Sequence, residues 1–335
     1  MNSGNITEQS AARPVAGANK VLFLLIVINI INMVDRNLIS SFGPQITEEL
    51  QLSDLEFGML TGLLFVFFYA IMGLFVGRLA DIMHRPRLIA AGLFLWSALT
   101  MFSGAARNFL QIGVARLFIG VGESCLSPSA MSILSDLYPP NRRGMASGLY
   151  YLGVPLGAGA SFVVAGYFGP QIGWRNCFYA LGALGLLLTP ILFFMRDPVR
   201  GLFDEKSTAS QQPQQQSYGM FHAVRQVWGL VQRSKALGWA MIGAVFMHLP
   251  IGAAQFVTLW LVRERGFDAA EITLLYGILF IIFGTLGAFI GGFASDWYLR
   301  RFKGGRLRFL AIFMVMVTPL MLGYRFVEPE SRASP

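Results

Sequence analysis

An apolar stretch from Arg116 to Asp136 carries two opposite charges, and it constrains the fold more than any other segment. A membrane-spanning helix needs about 20 predominantly apolar residues, and this stretch is long enough. Arg116 and Glu123 are two helical turns apart, so they share one helix face at about 10 Å of axial rise. A charge at bilayer depth costs at least a few kcal/mol unless it faces a partner or a water-filled cavity. The sequence therefore predicts a polar site inside a bundle of spanning helices.

The composition agrees with a membrane protein. Hydrophobic residues make up 55% of the chain and charged residues only 13%, whereas a soluble protein carries about 25% charged residues. The net charge of +8 does not indicate a nucleic-acid partner, because basic residues collect in cytoplasmic loops and no basic stripe with interleaved aromatic residues lies outside the apolar runs. Cys125 and Cys177 lack metal-ligand spacing, and we find no phosphate-binding loop or Ser-His-Asp arrangement. We expect no metal, no cofactor and no enzymatic activity.

The pattern of apolar runs predicts nine membrane spans in an all-α protein. They cover approximately residues 20–42, 57–76, 88–105, 109–133, 145–168, 176–195, 237–262, 272–298 and 307–324. We predict four regions: a disordered cytoplasmic N-terminus, a six-helix bundle, a cytoplasmic linker and a partial C-terminal bundle, at residues 1–19, 20–195, 196–234 and 235–335. The linker contains a Gln-rich stretch and a basic amphipathic helix over residues 220–233.

The distribution of basic residues predicts the orientation. With the N-terminus inside, the cytoplasmic loops hold 18 Lys and Arg residues and the outer loops hold 4. Basic residues are retained on the cytoplasmic side, so this asymmetry indicates a cytoplasmic N-terminus. We expect a multi-pass protein of the cell (inner) membrane.

An internal repeat relates the two halves of the chain. Shifting the sequence by 215 residues places residues 55–81 on residues 270–296, with identical residues at eight positions that include Gly62, Gly77 and Asp81. Chance similarity between apolar segments would not align glycine and acidic positions this well. Parallel repeats of this kind are typical of secondary transporters.

These motifs carry a family resemblance. The segment from Gly77 to Asp81, followed by Arg85 and Arg87, resembles the loop between helices two and three of the major facilitator superfamily, and Gly292 to Asp296 with Arg300 resembles its second copy. The sequence around Glu123 is similar to sequences of the bacterial spinster-like branch of this superfamily. The resemblance implies a fold of six plus six helices, so nine spans predict an incomplete, three-helix C-terminal bundle. Either the chain is a truncated product or a missing C-terminal fragment completes it.

The residues of the charged site are predicted to have two different roles, proton exchange and substrate binding. Asn29, Asn32 and Arg36 form a polar stripe on the first span. Our hypothesis is that Asp35 and Glu123 exchange protons, while Asn32, Arg36 and Arg116 bind substrate, because arginine stays charged and suits an anionic head group. The resemblance implies the same roles. The alternative is a purely structural cluster of buried ion pairs.

A second cluster lies at the cytoplasmic end of the predicted second span. The resemblance implies that Gly77, Asp81 and Arg85, with Asp296 and Arg300 in the second half, form a gate that holds the inner side shut. We expect Asp81 to pair with Arg85 or with a helix N-terminus. The alternative is a solvated loop whose arginines only set the topology.

The sequence therefore predicts a proton-coupled secondary transporter that works by alternating access. The spinster-like resemblance implies lipid-like amphiphiles, such as lysophospholipids or sphingoid lipids, as substrates. The alternatives are a proton-coupled symporter of small organic anions such as sugar acids, and a non-transporting fragment. Under the repeat, Pro250 takes the place of Asp35, and His248 and Gln255 are minor candidates for the site.

Overall fold

The computed structural model describes residues 13–203, 229–302 and 305–323. We number its helices in chain order. They are α1 (Ala18–Ser41), α2 (Gly43–Glu49), α3 (Asp54–Gly58), α4 (Leu64–Ile82), α5 (Arg85–Ala105), α6 (Phe109–Glu123), α7 (Leu126–Leu137), α8 (Pro140–Tyr151), α9 (Gly153–Phe193), α10 (Lys235–Ala254), α11 (Val257–Arg265), α12 (Ala269–Arg301) and α13 (Gly305–Gly323). A π-helical turn, Met59–Leu63, joins α3 to α4.

Among the described residues, seven helical stretches are long and apolar enough to cross a membrane. One of them, Pro140–Phe193, contains two of the predicted spans, because Gly173 has φ +78° and ψ 158° and separates α9 into two arms. The last predicted span falls on α13. Within the described residues the prediction of an all-α membrane protein is confirmed, and the described parts of the nine predicted spans lie almost entirely on helices.

The starts of several helices follow from local chemistry. Proline occupies one of the first two positions of α2, α5 and α8, where its missing N–H is not needed. The Ser53 side chain accepts a hydrogen bond from the Glu56 backbone N–H, and the Glu56 carboxylate accepts from the Ser53 backbone N–H. This capping box begins the helical segment that leads into α4.

The first half of the chain packs into two apolar clusters. One apolar cluster centres on Leu25 and Trp96, and a second centres on Phe42 and Phe178. Close approach of α9 to α1 depends on Gly157, because a Cβ at that position would lie 2.6 Å from the Met33 Cβ. This close approach packs α9 against the helix that carries Asp35 and Arg36.

The two ends of the predicted linker region are partly described. Residues 204–228 lie outside the described part, so most of the predicted amphipathic helix has no structural account.

The predicted N-terminal region is also described in part. Residues 1–12 lie outside the described part, whereas residues 13–19 contact the first bundle. The Val15 N–H donates to the Leu137 carbonyl at 3.0 Å, and the Tyr138 hydroxyl donates to the Asn19 side-chain oxygen at 2.8 Å.

The two halves meet at the end of the molecule that contains α2, which we call the α2 end. The Ser40 hydroxyl donates to the Gln255 side-chain oxygen at 2.6 Å, and the Thr258 hydroxyl donates to the Ser40 carbonyl at 3.1 Å. Ser40 and Gln255 are repeat-equivalent positions, 215 residues apart. Arg263 adds hydrogen bonds to Asp54 and Thr47, both at 2.8 Å. The halves are therefore joined at the α2 end and also along α9 and α12, where a Cβ at Gly277 would lie 2.7 Å from the Val163 backbone nitrogen. The described residues of α10, in contrast, include no buried side chain.

A polar contact outside the spans also holds the α2 end. The Glu49 carboxylate accepts hydrogen bonds from the Trp174 indole and, at 2.9 Å, from the Arg175 guanidinium. Arg175 also donates to the carbonyls of Gly104 and Ala106. This contact joins α2, the end of α5 and the break in α9.

The contact predicts a pH-dependent contribution to stability. The Trp174 hydrogen bond is the largest influence and, together with Arg175, lowers the pKa of Glu49 below 4.5. A carboxyl group with a lowered pKa in the folded state contributes stability above its unfolded pKa, and this is lost as the pH falls through the folded pKa. The Glu49 side chain is 50% exposed, so we expect less than about 1 kcal/mol.

Thermal melting of Glu49→Gln and wild type across neutral to acidic pH tests this expectation. The variant should melt at a lower temperature at neutral pH, and the difference should disappear in acid. Glu48→Gln, a change at the exposed neighbouring residue, is the matched control and should follow wild type throughout. A Glu49→Gln deficit that persists unchanged into acid would contradict the assignment.

Candidate functional site

The central feature is an ion pair between α1 and α6. The Arg36 guanidinium donates to one Glu123 oxygen, Oε2, through Nε at 3.0 Å and Nη2 at 2.8 Å. The Glu123 side chain is fully buried, whereas 27% of the Arg36 side chain is exposed. The two charged segments singled out in the sequence therefore do meet, and Arg36 is the member that reaches open space.

Arg116 lies on the same face of α6 but makes different contacts. Its Nη2 donates to the Arg36 carbonyl at 2.5 Å and its Nε donates to the Leu60 carbonyl at 3.2 Å. Leu60 is in the π-helical turn, where the altered backbone pairing leaves a carbonyl available to a side chain. Arg116 is 1% exposed. Arg116 therefore holds α1 next to the π turn, and its guanidinium is buried in this conformation.

Two carboxyl groups lie next to each other in this site. Asp35 is 2% exposed, and its Oδ1 accepts a hydrogen bond from the Thr100 hydroxyl at 2.7 Å. The Asp35 and Glu123 carboxyls are close enough to interact electrostatically. Asp35 Oδ2 and Glu123 Oε1 are both buried and have no hydrogen-bond donor among the described residues. Buried polar atoms are normally paired, so these two oxygens mark a polar position that the described side chains leave without a donor.

Aromatic rings on α4 complete the site. The Arg36 guanidinium carbon lies 4.6 Å from the Tyr69 ring centroid and 4.8 Å from that of Phe65, and Arg116 contacts Phe65 at 4.6 Å. The ring faces attract cations and hold the guanidinium planes in place. The sequence analysis missed both aromatic residues. Their spacing of one helical turn on a predicted span was the available signal.

The asparagines of the predicted stripe have separate roles. The Asn29 side chain donates to the Tyr150 carbonyl at 2.8 Å, which is a helix-packing contact. Asn32 is buried, and its Nδ2 has no acceptor among the described residues. Asn32 therefore keeps an unused donor near the charged site.

A second buried cluster surrounds Arg85 at the opposite end of the bundle. Its guanidinium pairs with Asp136 and, at 2.8 Å, with Asp197. It also donates to the Ser132 hydroxyl at 3.0 Å and the Pro198 carbonyl at 2.7 Å. The Arg85 side chain is fully buried. The cluster therefore ties the start of α5 to the end of α7 and to the segment after α9.

Comparisons with known proteins decide the family. A model described as Major Facilitator Superfamily matches residues 25–327. The chain belongs to the major facilitator superfamily. A solved structure described as a bacterial homologue of the human lysosomal transporter Spinster, inward-facing and unoccupied, matches with a TM-score of 0.72 and 30% identity, over 85% of this chain and 64% of that one.

Curated relatives of this superfamily member agree with that match. A probable sphingolipid transporter, spinster homolog 1, of Arabidopsis thaliana is 31% identical over 55% of this chain and 41% of its own length. A probable L-galactonate transporter of Escherichia coli is 27% identical over 85% of this chain and 62% of its own length. The resemblance to spinster-like transporters is confirmed. The chain spans about two fifths to two thirds of the length of these relatives.

The superfamily's helix-two loop does not form the ion pair expected from the sequence. Arg85 pairs with Asp136 and Asp197, so the predicted pairing of Asp81 with Arg85 is wrong in this conformation. Asp81 is exposed, and its backbone carbonyl accepts from Arg200, which also donates to the carbonyls of Ala80 and Met83. Arg200 thereby caps the end of α4, a role that the sequence analysis missed.

The remaining gate candidates, Gly77, Asp296 and Arg300, are not among the groups that bond to Arg85. A Cβ at Gly77 would meet nothing within 4 Å, and Asp296 and Arg300 are exposed on α12. Arg85 does not lie in a solvated loop, which was the alternative to a gate, because its side chain is fully buried. The gate remains a prediction for the other residues.

The three candidates from the second half do not contact the central charged site. His248 is exposed on α10, and its ring pairs with the Ala244 carbonyl of its own helix. Pro250 is also exposed. Gln255 contacts Ser40 at the α2 end, where it joins the two halves. The ionisable groups of the central site therefore come from the first half.

Proposed function

We propose that this chain is a proton-coupled secondary transporter that moves lipid-like amphiphiles by alternating access. The observation that carries the proposal is the site formed by Asp35, Arg36 and Glu123, which combines a partly exposed cation with two adjacent buried carboxyls. Ionisable side chains inside a membrane bundle are expensive to keep and commonly mark a transport pathway. Their placement supports coupling between a proton and an anion.

The proposed coupling uses the same guanidinium twice. In the present conformation Glu123 occupies the Arg36 guanidinium with two hydrogen bonds. An anionic substrate that binds Arg36 displaces Glu123, and a proton then neutralises the carboxyl that has lost its cation. Arg36 itself stays charged throughout. Proton binding and substrate binding therefore favour each other, as coupled transport requires.

The contacts of Arg116, Asn32 and Asp35 support separate roles for these residues in the exchange. Arg116 is buried and donates to two backbone carbonyls, so we propose that it positions α1 in this state. Asn32 has an unused amide donor, which supports its proposed contact with substrate. Asp35 is the second proton-exchanging group in the proposal.

The proposed orientation follows from the loops. The contacts of Ser40 and Arg263 close the α2 end, and the excess of basic residues lies in the loops at the other end. Basic loops stay in the cytoplasm, so we propose a cell (inner) membrane protein with a cytoplasmic N-terminus that is closed on the outer side here. Opening the α2 end and closing the opposite end, which holds Gly77 and Asp81, would complete the transport cycle.

Proteoliposomes with an imposed pH gradient test the proposed function. The 335-residue chain and a version extended to twelve spans are compared for accumulation of a radiolabelled lysophospholipid, each with Glu123 intact and as Glu123→Gln. We expect Glu123→Gln to lose gradient-driven accumulation to background while exchange of labelled for unlabelled substrate persists. Proton coupling requires the carboxyl, whereas exchange does not.

Glu264→Gln is the matched control, because Glu264 is exposed at the end of α11. It should accumulate substrate as wild type does. Undiminished gradient-driven accumulation by Glu123→Gln would remove the coupling role. Accumulation only by the twelve-span version would show that this chain is a non-transporting fragment.

A sugar acid is the second candidate substrate, because a probable L-galactonate transporter is among the relatives. Arg36 suits any carboxylate or phosphate, so the head-group site does not separate the two classes. Parallel uptake of labelled L-galactonate distinguishes them. Accumulation of galactonate without lysophospholipid would establish the sugar-acid alternative.

A further inference from the structure

A cavity of about 380 Å³ lies between α4 and α7, beside the charged site. Its volume falls within the range of roughly 300–1,000 Å³ that is typical of small-molecule sites. Its lining includes Tyr69, Gly73 and Leu74 of α4, Ser124 between α6 and α7, and Met131 of α7. We call it the α4–α7 cavity. The proton and head-group roles proposed above do not use it.

One end of the cavity is polar and is lined by a residue that contacts Arg36. Tyr69 lines the cavity and also carries the ring that faces the Arg36 guanidinium at 4.6 Å. Ser124, which follows Glu123 directly, is another lining residue. An anion bound at the exposed part of Arg36 would therefore lie at the mouth of this cavity.

The other end of the cavity is apolar. Leu74 and Met131 line it at positions further along α4 and α7, away from the ion pair. Met131 is eight residues past Glu123, about 12 Å of helical rise. The lining surface is mostly apolar, and methionine adapts its shape to flexible ligands. The cavity thus changes from charged and polar to apolar along one direction.

We propose that the α4–α7 cavity binds the hydrocarbon tail of a single-chain anionic amphiphile whose head group contacts Arg36. The proposal rests on the proposed function and adds the place of the tail. Charge complementarity at Arg36 selects the anionic end, and the apolar surface beyond Tyr69 receives the chain. A sugar acid has no group that would occupy the apolar end.

Gly73 offers a direct test, because it lines the cavity and a Cβ there would meet nothing within 4 Å. Gly73→Leu therefore fills the cavity without displacing a neighbour. Gly144→Leu is the matched control: it makes the same change at another glycine with open space around it, on α8 and outside the cavity lining. Both variants are compared with wild type in lipid nanodiscs.

The measurement is equilibrium binding of octyl, dodecyl and hexadecyl phosphate, with binding to empty nanodiscs subtracted. For wild type and Gly144→Leu, we expect affinity to rise about fourfold for each methylene that the cavity accommodates. Gly73→Leu should bind octyl phosphate normally and hexadecyl phosphate at least tenfold more weakly. Arg36→Met should weaken all three phosphates together.

The outcomes separate the two proposals. Equal tail-length profiles for Gly73→Leu and wild type, with Arg36→Met still deficient, would overturn the tail site and leave the head-group role intact. Absence of specific binding by any alkyl phosphate would overturn both the tail site and the amphiphile substrate. Loss of all binding in both leucine variants would show that the effect is not specific to the cavity and would also overturn the tail site.

Discussion

Arg85→Met is expected to lower the free energy of unfolding by about 3–5 kcal/mol, the largest loss that we expect from any single side chain. The substitution keeps much of the side-chain volume but removes the guanidinium that pairs with Asp136 and Asp197. Asp136 is then left without its cation in a mostly buried site, and Asp197 keeps only its contact with Arg200 at 4.0 Å. The loss is measurable as a large fall in the melting temperature of the detergent-purified chain.

Arg87→Met is the control for this prediction. Arg87 is exposed and lies 5.5 Å from the Phe193 ring centroid, so its removal should cost no more than about 1 kcal/mol. The double change of Asp136 and Asp197 to asparagine in Arg85→Met should recover part of the lost stability, since the uncompensated charges are removed. Equal melting of the Arg85 and Arg87 variants would show that the buried cluster does not stabilise this fold.

Gly157→Leu is expected to cost about 3 kcal/mol by forcing α9 away from α1. A Cβ at Gly157 would lie 2.6 Å from the Met33 Cβ and 3.1 Å from the Ile30 Cα, and it would also meet the Ile30 carbonyl. Two of these three atoms belong to the backbone, so a rotamer change cannot relieve the contact. The displaced helix carries Asp35 and Arg36, and we expect transport to fall with stability.

Gly148→Leu tests whether the effect is local. It makes the same change on α8, where a Cβ would meet nothing within 4 Å, and it should melt close to wild type. Melting curves of both variants in one detergent give the comparison. The close approach of α9 to α1 would be disproved by a Gly157→Leu variant as stable as Gly148→Leu.

The central ion pair was predictable because two local properties of the chain determine it. The helical period places Arg116 and Glu123 on one face of a span, and the cost of charge in lipid requires that face to have a polar partner. Asp35 and Arg36 are the charged residues of the first span. Their encounter with Glu123 followed, and the structure confirms the contact between Arg36 and Glu123.

The individual pairings were not predictable. Arg116 donates to the Arg36 and Leu60 carbonyls rather than to a carboxylate, because a π turn makes a backbone acceptor available at that point. Arg85 pairs with residues 51 and 112 positions away. Sequence proximity favoured Asp81, but α4 ends before α5 begins, and the packing of α5 against α7 places Asp136 beside Arg85.

The sequence by itself was enough to predict the membrane class, the repeat and the position of the charged site, because hydropathy, helical period and the cost of buried charge act within single segments. Only the tertiary structure decided which cation holds which anion, where the two halves contact each other and where the α4–α7 cavity lies. Those outcomes depend on distances between helices that are far apart in the chain. Such distances are decided by side-chain packing, as the contact of Gly157 with α1 shows.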